Sequence, residues 1–246
     1  MAHYQAILEY DGTEFLGFQR QRTGRTVQGE LENALRRVGW PGRSVLAGGR
    51  TDTGVHAAGQ VVAFEFEWKH GPADLLQAVN ANLPPDAAVK ALTECAPEFH
   101  PRYSAKGRRY RYTLYNAPVR APLLERYTWR VMAPLTLAPM QAASRRLVGR
   151  HDFAAFGDDP DNGTNTVRTV TRAEWTLSEA PGRLDFDIQA EAFLHRMVRS
   201  LAGALKRVGE GSLSVDEFGA ILESRDRARC PAVAPPQGLC LMEIMY

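Results

Sequence analysis

The chain has little of what builds disulfide frameworks, zinc sites or membrane spans. Its 246 residues include only three cysteines, Cys95, Cys230 and Cys240, which are widely spaced and form no Cys-x-x-Cys pair. This spacing argues against a disulfide framework and a zinc site, and it suits a reducing cytosol. Residues 1–12 lack the charged and apolar regions of a signal peptide. No uninterrupted apolar run approaches the ~20 residues needed to cross a bilayer. We therefore expect a cytoplasmic protein.

Sequence motifs for common cofactors and nucleophilic triads are also missing. The chain contains neither a Gly-x-x-x-x-Gly-Lys loop nor a Gly-x-Gly-x-x-Gly turn that would cradle a nucleotide cofactor. No Ser-His-Asp or Cys-His arrangement stands in a recognisable setting. These absences point away from nucleotide cofactors and from acyl-transfer chemistry.

The net charge of +2 is too small to indicate a partner, but the basic residues are clustered. The clusters comprise Arg20, Arg22 and Arg25; Lys106, Arg108, Arg109 and Arg111; and Arg196, Arg199, Lys206 and Arg207. A cluster of this kind is either a solvated face or a surface that binds a polyanion such as nucleic acid. The charge pattern alone does not choose between the two.

The order of the predicted elements indicates a mixed α+β fold. The first half predicts strand, helix, strand, strand, helix and strand at residues 4–10, 27–38, 44–47, 60–68, 74–83 and 88–95. The second half repeats this order at residues 109–115, 139–148, 169–177, 183–191, 193–208 and 238–245, with a short extra helix at 215–222. We therefore predict two tandem ferredoxin-like βαββαβ units, residues 1–103 and 104–246. Their antiparallel sheets would lie side by side around a central cleft.

Residues 48–57, Gly-Gly-Arg-Thr-Asp-Thr-Gly-Val-His-Ala, form the most informative stretch of the chain. Asp52 stands between two threonines, with Arg50 two positions before it and glycines on both sides. The glycines allow a tight turn that passes close to a ligand, and a neighbouring arginine favours an ionised carboxylate. The same pattern also occurs in ordinary capped surface turns.

Several alternatives for Asp52 can be weighed from the sequence. Asp52 and His56 are four residues apart, but no further ligand clusters near them, so neither a calcium loop nor a zinc pattern is present. A glycoside hydrolase needs a second catalytic carboxylate, and the sequence nominates none. A solitary Asp paired with Arg suits a reaction in which one carboxylate attacks or stabilises C1′ of a sugar.

The stretch around Asp52 resembles the catalytic motif of the TruA family of tRNA pseudouridine synthases, and the resemblance covers nearly the whole chain. Besides residues 48–57, the motifs that resemble the family are residues 10–20 (YDGTEFLGFQR), 26–32 (TVQGELE), 99–105 (FHPRYSA) with 109–112 (RYRY), 151–153 (HDF), 193–199 (FLHRMVR) and 238–239 (GL). The resemblance implies the pseudouridine synthase fold.

The resemblance also implies an activity and its requirements. It implies an isomerase that breaks the N1–C1′ bond of a uridine in tRNA, turns the base and rejoins it through C5, with Asp52 as the nucleophile. Attack at C1′ and attack at C6 both remain open. No metal, nucleotide or redox cofactor is implied. The implied targets are uridines 38, 39 and 40 of the anticodon stem-loop, and the implied assembly is a homodimer that holds one tRNA across both subunits.

Further site residues are assigned by the same resemblance. Tyr110 would pack against the target base and help to remove its C5 proton, since stacking on an aromatic ring is how proteins hold splayed RNA bases. Arg199 would pair with the nucleophile, and Arg50 would fill the gap left by the flipped nucleotide. The candidate tRNA-backbone contacts are Phe99, His100, Arg102, Tyr103, Lys106, Arg108 and Arg168, the last in a loop at residues 157–168.

Two rival interpretations remain for comparison. A protein of the same fold that binds tRNA without chemistry would need the loop around Asp52 but not the acid itself. A nucleoside or glycoside hydrolase is disfavoured because the second carboxylate is missing.

Overall fold

The computed structural model describes residues 1–159 and 165–246. Its strands are β1 Ala2–Tyr10, β2 Leu46–Ala47, β3 His56–Phe66, β4 Ala87–Glu94, β5 Gly107–Asn116, β6 Trp129–Val131, β7 Gly149–Asp152, β8 Val167–Leu177, β9 Arg183–Ala190 and β10 Leu239–Met245. Its α-helices are α1 Val27–Arg37, α2 Pro72–Asn80, α3 Leu137–Arg145, α4 Met197–Gly209 and α5 Val215–Ser224. The mixed α+β class expected from the sequence is confirmed.

The chain divides into two compact units. Unit 1 comprises Met1–Lys106 together with Cys240–Tyr246, and unit 2 comprises Gly107–Leu239. The last seven residues therefore belong to the unit built by the first hundred, although they follow the second unit in the chain.

Unit 1 is a sheet in the order β4-β1-β3-β10, with the short β2 paired to β3. Strands β1, β3 and β4 are antiparallel, whereas β10 runs parallel to β3 through the pairs Cys240↔His56 and Leu241↔Ala57. Alternate residues of β1, Tyr4, Ala6, Leu8 and Tyr10, are buried, as the period-2 pattern predicts for a strand with one face on the core.

The pairing of β1 with β3 contains a β-bulge beside the start of β3. Leu8 pairs with Gln60, but Tyr10 pairs with Ala57, so β3 has one more residue than β1 in this interval. Gly59 lies within the bulge, and a Cβ there would come within 2.4 Å of the Met242 carbonyl oxygen. A bulge bends its strand and often re-aims side chains next to functional sites.

Helix α1 follows from local sequence signals. The Thr26 hydroxyl accepts a hydrogen bond from the Gly29 amide at the helix start, and Arg36 and Arg37 occupy its last turn, where cations suit the helix dipole. Leu31 and Leu35, one turn apart, face the core. The observed helix ends one residue before the predicted end at residue 38.

Unit 2 is built on antiparallel pairings in the order β5-β9-β8-β7, with β6 parallel to β5. Tyr112 and Leu114 on β5 are fully buried, and so are Trp175 and Phe186, whose rings stack with centroids 5.0 Å apart. Burying aromatic rings of this size supplies much of the hydrophobic stabilisation of a unit. Helix α4 is also largely buried.

The predicted start of helix α4 at residue 193 is wrong, because the helix begins at Met197. Arg196 has a left-handed backbone with φ of 60°, and the His195 amide donates a hydrogen bond to the Asp158 carbonyl oxygen at 2.8 Å. A left-handed residue cannot continue an α-helix. Phe193, predicted to lie on the helix, therefore precedes it.

The sequence pattern also missed strands β6 and β7. Strand β6 has three residues and β7 has four, which is too short for alternation to be recognised. The motif residues His151 and Asp152 lie on β7.

Asp152 caps the turn that follows β7. Its carboxylate accepts hydrogen bonds from the Thr166 hydroxyl at 2.6 Å and from the Ala154 amide at 3.1 Å, and it lies 3.5 Å from Arg225 Nε. The bond from Thr166, opposed by partial burial and aided by Ala154 and Arg225, lowers the pKa of Asp152 below its usual value of 3.8. The ionised form is therefore the one that stabilises the fold.

We predict that Thr166→Val makes the protein less stable in a pH-dependent way. Because the folded pKa of Asp152 lies below the unfolded one, the stabilisation is present above the unfolded pKa and is lost as pH falls through the folded pKa. The variant should lose about 1 kcal/mol of unfolding free energy at neutral pH, and the difference from wild type should narrow in acid. Urea unfolding over a pH series measures this.

The matched control is Thr171→Val, which also removes a hydroxyl from unit 2. The Thr171 hydroxyl bonds the Gln189 carbonyl oxygen, which does not titrate. Its effect should be independent of pH. A Thr166→Val effect that stays constant from neutral to acidic pH would contradict the role assigned to Asp152.

Candidate active site

The loop that carries Asp52 connects β2 to β3 in unit 1. Its first residues are anchored to β3, since the Gly48 amide donates to the Val61 carbonyl oxygen at 2.8 Å and Gln60 Nε2 donates to the Gly49 carbonyl oxygen at 2.9 Å. Asp52 itself is half-buried. The loop backbone is thus held in place while its carboxylate-bearing residue stays partly accessible.

The segment at residues 12–18 packs directly against the backbone of this loop. The Phe18 amide donates to the Thr51 carbonyl oxygen at 3.0 Å. A Cβ on Gly12 would lie 2.1 Å from the Val55 carbonyl oxygen, and one on Gly17 would lie 2.8 Å from the Thr51 carbonyl oxygen. Gly17 also has a φ of +87°, which side chains disfavour. Only glycine permits this approach at both positions.

Two buried side chains complete the support of the loop. The Tyr10 and Thr51 hydroxyls lie 2.8 Å apart and share a hydrogen bond. His56 is buried, and its Nδ1 accepts a hydrogen bond from the Gly12 amide at 3.0 Å, with Asp11 Oδ1 3.2 Å away. The residues on both sides of Asp52 are therefore tied to the end of β1.

Glu32 on α1 anchors the chain on the approach to the loop. Its carboxylate is fully buried and accepts hydrogen bonds from Arg20, from Gln28 Nε2 at 2.9 Å, from Arg36 Nη2 at 3.3 Å and from the Val45 amide at 3.2 Å. A buried carboxylate is tolerated when charged partners and hydrogen bonds satisfy it. Glu32 thereby links Arg20, which precedes α1, to Val45, which follows it on the way to the Asp52 loop.

The segment at residues 99–106 is fastened to unit 1 by its backbone and by one ring. His3 Nε2 lies 3.2 Å from the Phe99 carbonyl oxygen, and the Tyr246 hydroxyl donates to the Pro101 carbonyl oxygen at 2.8 Å. The rings of Phe99 and Tyr246 are 4.9 Å apart. Phe99 therefore has a packing role that the sequence did not indicate.

The same segment presents aromatic and cationic side chains to solvent. His100 Nδ1 accepts from the Arg102 amide at 3.1 Å, and the rings of His100 and Tyr103 are 4.3 Å apart. Tyr103 is 77% exposed, Lys106 is exposed, and the Arg102 guanidinium lies 5.7 Å from the Tyr103 ring. An exposed aromatic ring beside cations is suited to contact bases and phosphates.

Tyr110 lies on β5 of unit 2, opposite Ile188 of β9. It is half-buried, and its ring meets the Phe193 ring edge-on, with centroids 5.1 Å apart. Strand alternation places Tyr110 on the same face of the sheet as the buried Tyr112. Phe193, which the sequence assigned to the helix core, is thus a neighbour of Tyr110.

Alternation along β5 also divides the basic cluster at residues 106–111. Arg108 is on the Tyr110 face, and its Nη1 donates to the Glu191 carbonyl oxygen at 2.8 Å. Arg109 and Arg111 are on the opposite face, where both pair with the buried Asp187. The basic residues that are contiguous in sequence therefore lie on two opposite faces of the sheet.

Arg199 lies on α4 of unit 2 and holds a segment without regular secondary structure. Its Nε donates to the Ala234 carbonyl oxygen at 2.8 Å, and the Ala234 amide donates to the Arg199 carbonyl oxygen at 3.0 Å. The first bond restricts the orientation of the guanidinium plane, and the second ties the segment to the backbone of the helix.

Arg168 on β8 is nearly buried, with 9% of its surface exposed. Its Nη1 donates to the carbonyl oxygens of Asn165 at 2.9 Å and Val167 at 2.7 Å. The guanidinium thus braces the start of its own strand. Of the predicted contact loop at residues 157–168, positions 160–164 lie outside the described residues.

Residues 1–159 and 165–246 contain neither a cluster of metal-ligating side chains nor a helix able to span a membrane. There, three or more His, Cys, Asp or Glu side chains nowhere converge in a way that could hold a metal ion. Nor does any helix there have the length and apolar character needed to span a membrane.

Comparison with known proteins places the chain in a family. The family model described as tRNA pseudouridine synthase matches residues 6–104 and 143–246. Asp52 and Arg199 fall inside these ranges, and Tyr110 falls between them. The chain belongs to the tRNA pseudouridine synthase family, whose members isomerise uridine to pseudouridine in tRNA.

Curated relatives agree over the full length of the chain. It is 39% identical over 246 residues to tRNA pseudouridine synthase A of Pseudothermotoga lettingae, covering 100% of both chains. It is 42% identical to the Syntrophotalea carbinolica protein of that name, covering 100% of this chain and 97% of the relative. The Neisseria meningitidis protein of that name is 41% identical over 240 residues, covering 97% and 90% respectively.

Sequence reasoning missed the residues that support the loop. Gly12 and Gly17 lie in the motif at residues 10–20, which by itself assigns them no role, and no sequence pattern connects Tyr10 or His56 to the loop backbone. The one available signal was the glycine spacing in residues 10–20, since a glycine in such a stretch often marks a close approach of backbone.

We predict that Gly17→Ala impairs pseudouridine formation beyond its effect on stability. The alanine would strain a backbone with φ of +87° and push against the Thr51 carbonyl oxygen, displacing the Asp52 loop. Gly39→Ala is the control, since Gly39 has a similar φ of +94° and a Cβ there meets nothing within 4 Å. Both variants should lose about 1 kcal/mol of stability from the left-handed conformation.

Only Gly17→Ala should also lower kcat, by about tenfold or more, because small displacements of reacting groups are costly. Chemical unfolding and a pseudouridine assay on bulk tRNA measure the two effects. Equal kcat values for the two alanine variants would show that the close approach does not position the loop.

Proposed function

We propose that the protein converts uridines 38, 39 and 40 of the tRNA anticodon stem-loop to pseudouridine, with Asp52 as the nucleophile. The observation that carries the proposal is the backbone support of the Asp52 loop by Gly12 and Gly17, which holds a half-buried carboxylate on a rigid turn. Preorganised charged groups of this kind lower activation barriers because little reorganisation occurs during reaction.

The reaction needs no external reactant. Asp52 attacks the uridine, the N1–C1′ bond breaks, and the detached base turns so that C5 faces C1′. A new C5–C1′ bond forms as the carboxylate is released. The proton on C5 is lost, and N1 gains a proton from solvent, so atoms and charge balance. This order describes attack at C1′; in attack at C6 the carboxylate stays bonded to the base until the C5 proton leaves, and the net change is the same.

Three further residues assist the reaction. Tyr110 packs against the target base and assists removal of the C5 proton. Arg199 keeps the nucleophile ionised, since a nearby cation favours a carboxylate. Arg50, exposed two residues before Asp52, occupies the space that the flipped nucleotide leaves in the RNA.

The tRNA backbone is held by the segment at residues 99–106 and by nearby cations. The exposed Tyr103 and Lys106, with Arg102 beside them, supply stacking area and positive charge. His100 and Phe99 fix the conformation of this segment, and they contribute to tRNA binding in that indirect way. The proposed contacts also include Arg108 and Arg168; the burial of Arg168 favours an indirect contribution through the backbone that it braces.

We also infer a cytoplasmic homodimer that holds one tRNA across both subunits. Sedimentation equilibrium should report twice the mass of one chain, and complexes with tRNA should contain two chains. A monomer that retains full activity would contradict this part of the proposal.

We predict that Asp52→Asn still binds tRNA but forms no pseudouridine. The amide keeps the size of the side chain and loses the nucleophile, so activity should fall by roughly 10³-fold or more. Release of tritium from tRNA labelled at uridine C5 measures turnover, and filter binding measures affinity. Asp74→Asn is the control, because it removes the same charge from an exposed position of unit 1.

The outcomes separate this function from its rivals. Substantial tritium release by Asp52→Asn would remove Asp52 from the chemistry. No release by the wild-type protein, with tight tRNA binding, would favour a binding protein without catalysis. Free uracil among the products would indicate hydrolysis of the glycosidic bond.

A further inference from the structure

The arginine assigned to the nucleophile is held by a segment that has no regular structure of its own. Residues 231–235 form neither helix nor strand, and Pro235 and Pro236 have no amide hydrogen to contribute to a ladder. The position of this segment therefore depends on contacts made by the rest of unit 2. The reciprocal bonds between Arg199 and the buried Ala234 are one such contact.

Helix α4 lets the backbone of this segment approach closely because it has a glycine, Gly203, at the point of contact. A Cβ on Gly203, one turn after Arg199, would come within 2.5 Å of the Ala232 carbonyl oxygen. The segment thus rests directly on the helix at two successive turns. A displacement of Ala234 would be transmitted to the Arg199 guanidinium, because the Nε bond ties the two together.

Tyr112 on β5 fixes the other side of the segment. Its hydroxyl donates to the Pro235 carbonyl oxygen at 2.8 Å, one residue beyond the partner of Arg199. Its ring is fully buried, lies edge-on to Trp129, and would be only 2.6 Å from a Cβ on Gly238. The ring therefore has little room to move, and the hydroxyl is aimed at one acceptor.

The phenol is suited to act as a permanent donor. Burial raises the pKa of Tyr112 well above its usual range, and the positive charge of Arg199 offsets only part of this increase. The hydroxyl therefore stays protonated at neutral pH.

We propose that the Tyr112 hydroxyl is a positioning group for Arg199, acting through the backbone of Ala234 and Pro235. The inference rests on the proposed role of Arg199 in catalysis. Tyr112 holds the Pro235 carbonyl, the adjoining Ala234 carbonyl holds Arg199 Nε, and the guanidinium plane is thereby set before tRNA binds. A misplacement of about 1 Å in a functional group can lower the rate by as much as about 100-fold.

The test removes a single oxygen atom. Tyr112→Phe keeps the ring and removes its bond to Pro235. We expect kcat for pseudouridine formation to fall about tenfold, with KM for tRNA within twofold of wild type. In protein labelled with ¹⁵N-arginine, the Arg199 Nε–H signal should shift and exchange faster with solvent, because its acceptor is no longer held in place. The melting temperature should fall by about 2–4 °C.

Thr113→Val is the matched control on the same strand. Thr113 is buried, and its hydroxyl makes a bond of equal length, 2.8 Å, to Asp185 on the opposite face of the sheet. Its loss should lower the melting temperature comparably while kcat and the Arg199 signal stay unchanged. A fall in kcat of the same size in both variants would mean that Tyr112 contributes stability alone.

A second comparison separates this inference from the proposed function. If Arg199→Gln retains full activity, the catalytic role of Arg199 fails, whatever Tyr112 does. If the Arg199 Nε–H signal of Tyr112→Phe matches wild type, the positioning inference fails, whatever Arg199 does. With both correct, Tyr112→Phe combined with Arg199→Gln is no slower than Arg199→Gln alone, because the two changes act through one group.

Discussion

The candidate active site depends on a close approach between two stretches of backbone. Residues 12–18 pass so near to residues 51–55 that a side chain at Gly12 or Gly17 would overlap a carbonyl oxygen. The approach satisfies backbone hydrogen bonds on both stretches, and it leaves the loop no freedom to relax towards solvent. Because this contact is backbone against backbone, it does not itself depend on a side-chain rotamer, and the side chains of Tyr10, Gln60 and His56 add to the support. This suits a nucleophile that must meet one atom of a large substrate.

Unit 2 positions its candidate site residues by a different physical means. Tyr110 is set by the register of β5 against β9 and by the ring of Phe193. Arg199 is set by a hydrogen bond to an irregular segment that Tyr112 holds in place. A flexible arginine has many rotamers, so fixing its Nε reduces the entropy that it would otherwise lose on engaging a partner. The glycine-supported loop and the hydrogen-bonded arginine are therefore two solutions to the same requirement for rigidity.

Sequence periodicity predicted the long elements well. Helix α1 and strands β3, β8 and β9 were recognised because each is long enough to repeat its pattern of buried residues. Strands β6 and β7 were missed because three or four residues carry no period. The start of α4 was misplaced because the apolar spacing of Phe193 and Met197 continues through Arg196, whose left-handed backbone has no marker in the sequence. The site residues were assigned by motif resemblance, because a short stretch of sequence is enough to recognise each motif.

The sequence by itself determined the family, the mixed α+β class and the candidate nucleophile, because glycine spacing, residue type and helical or strand periodicity are local properties. Only the tertiary structure decided what holds these groups in place. The bond from Tyr10 to Thr51 spans 41 residues of chain, and that from Tyr112 to Pro235 spans 123. Hydrogen bonds over such separations exist only once packing has brought the partners within 3 Å. No local pattern can specify them, so the supports of Asp52 and Arg199 emerge only from the folded units.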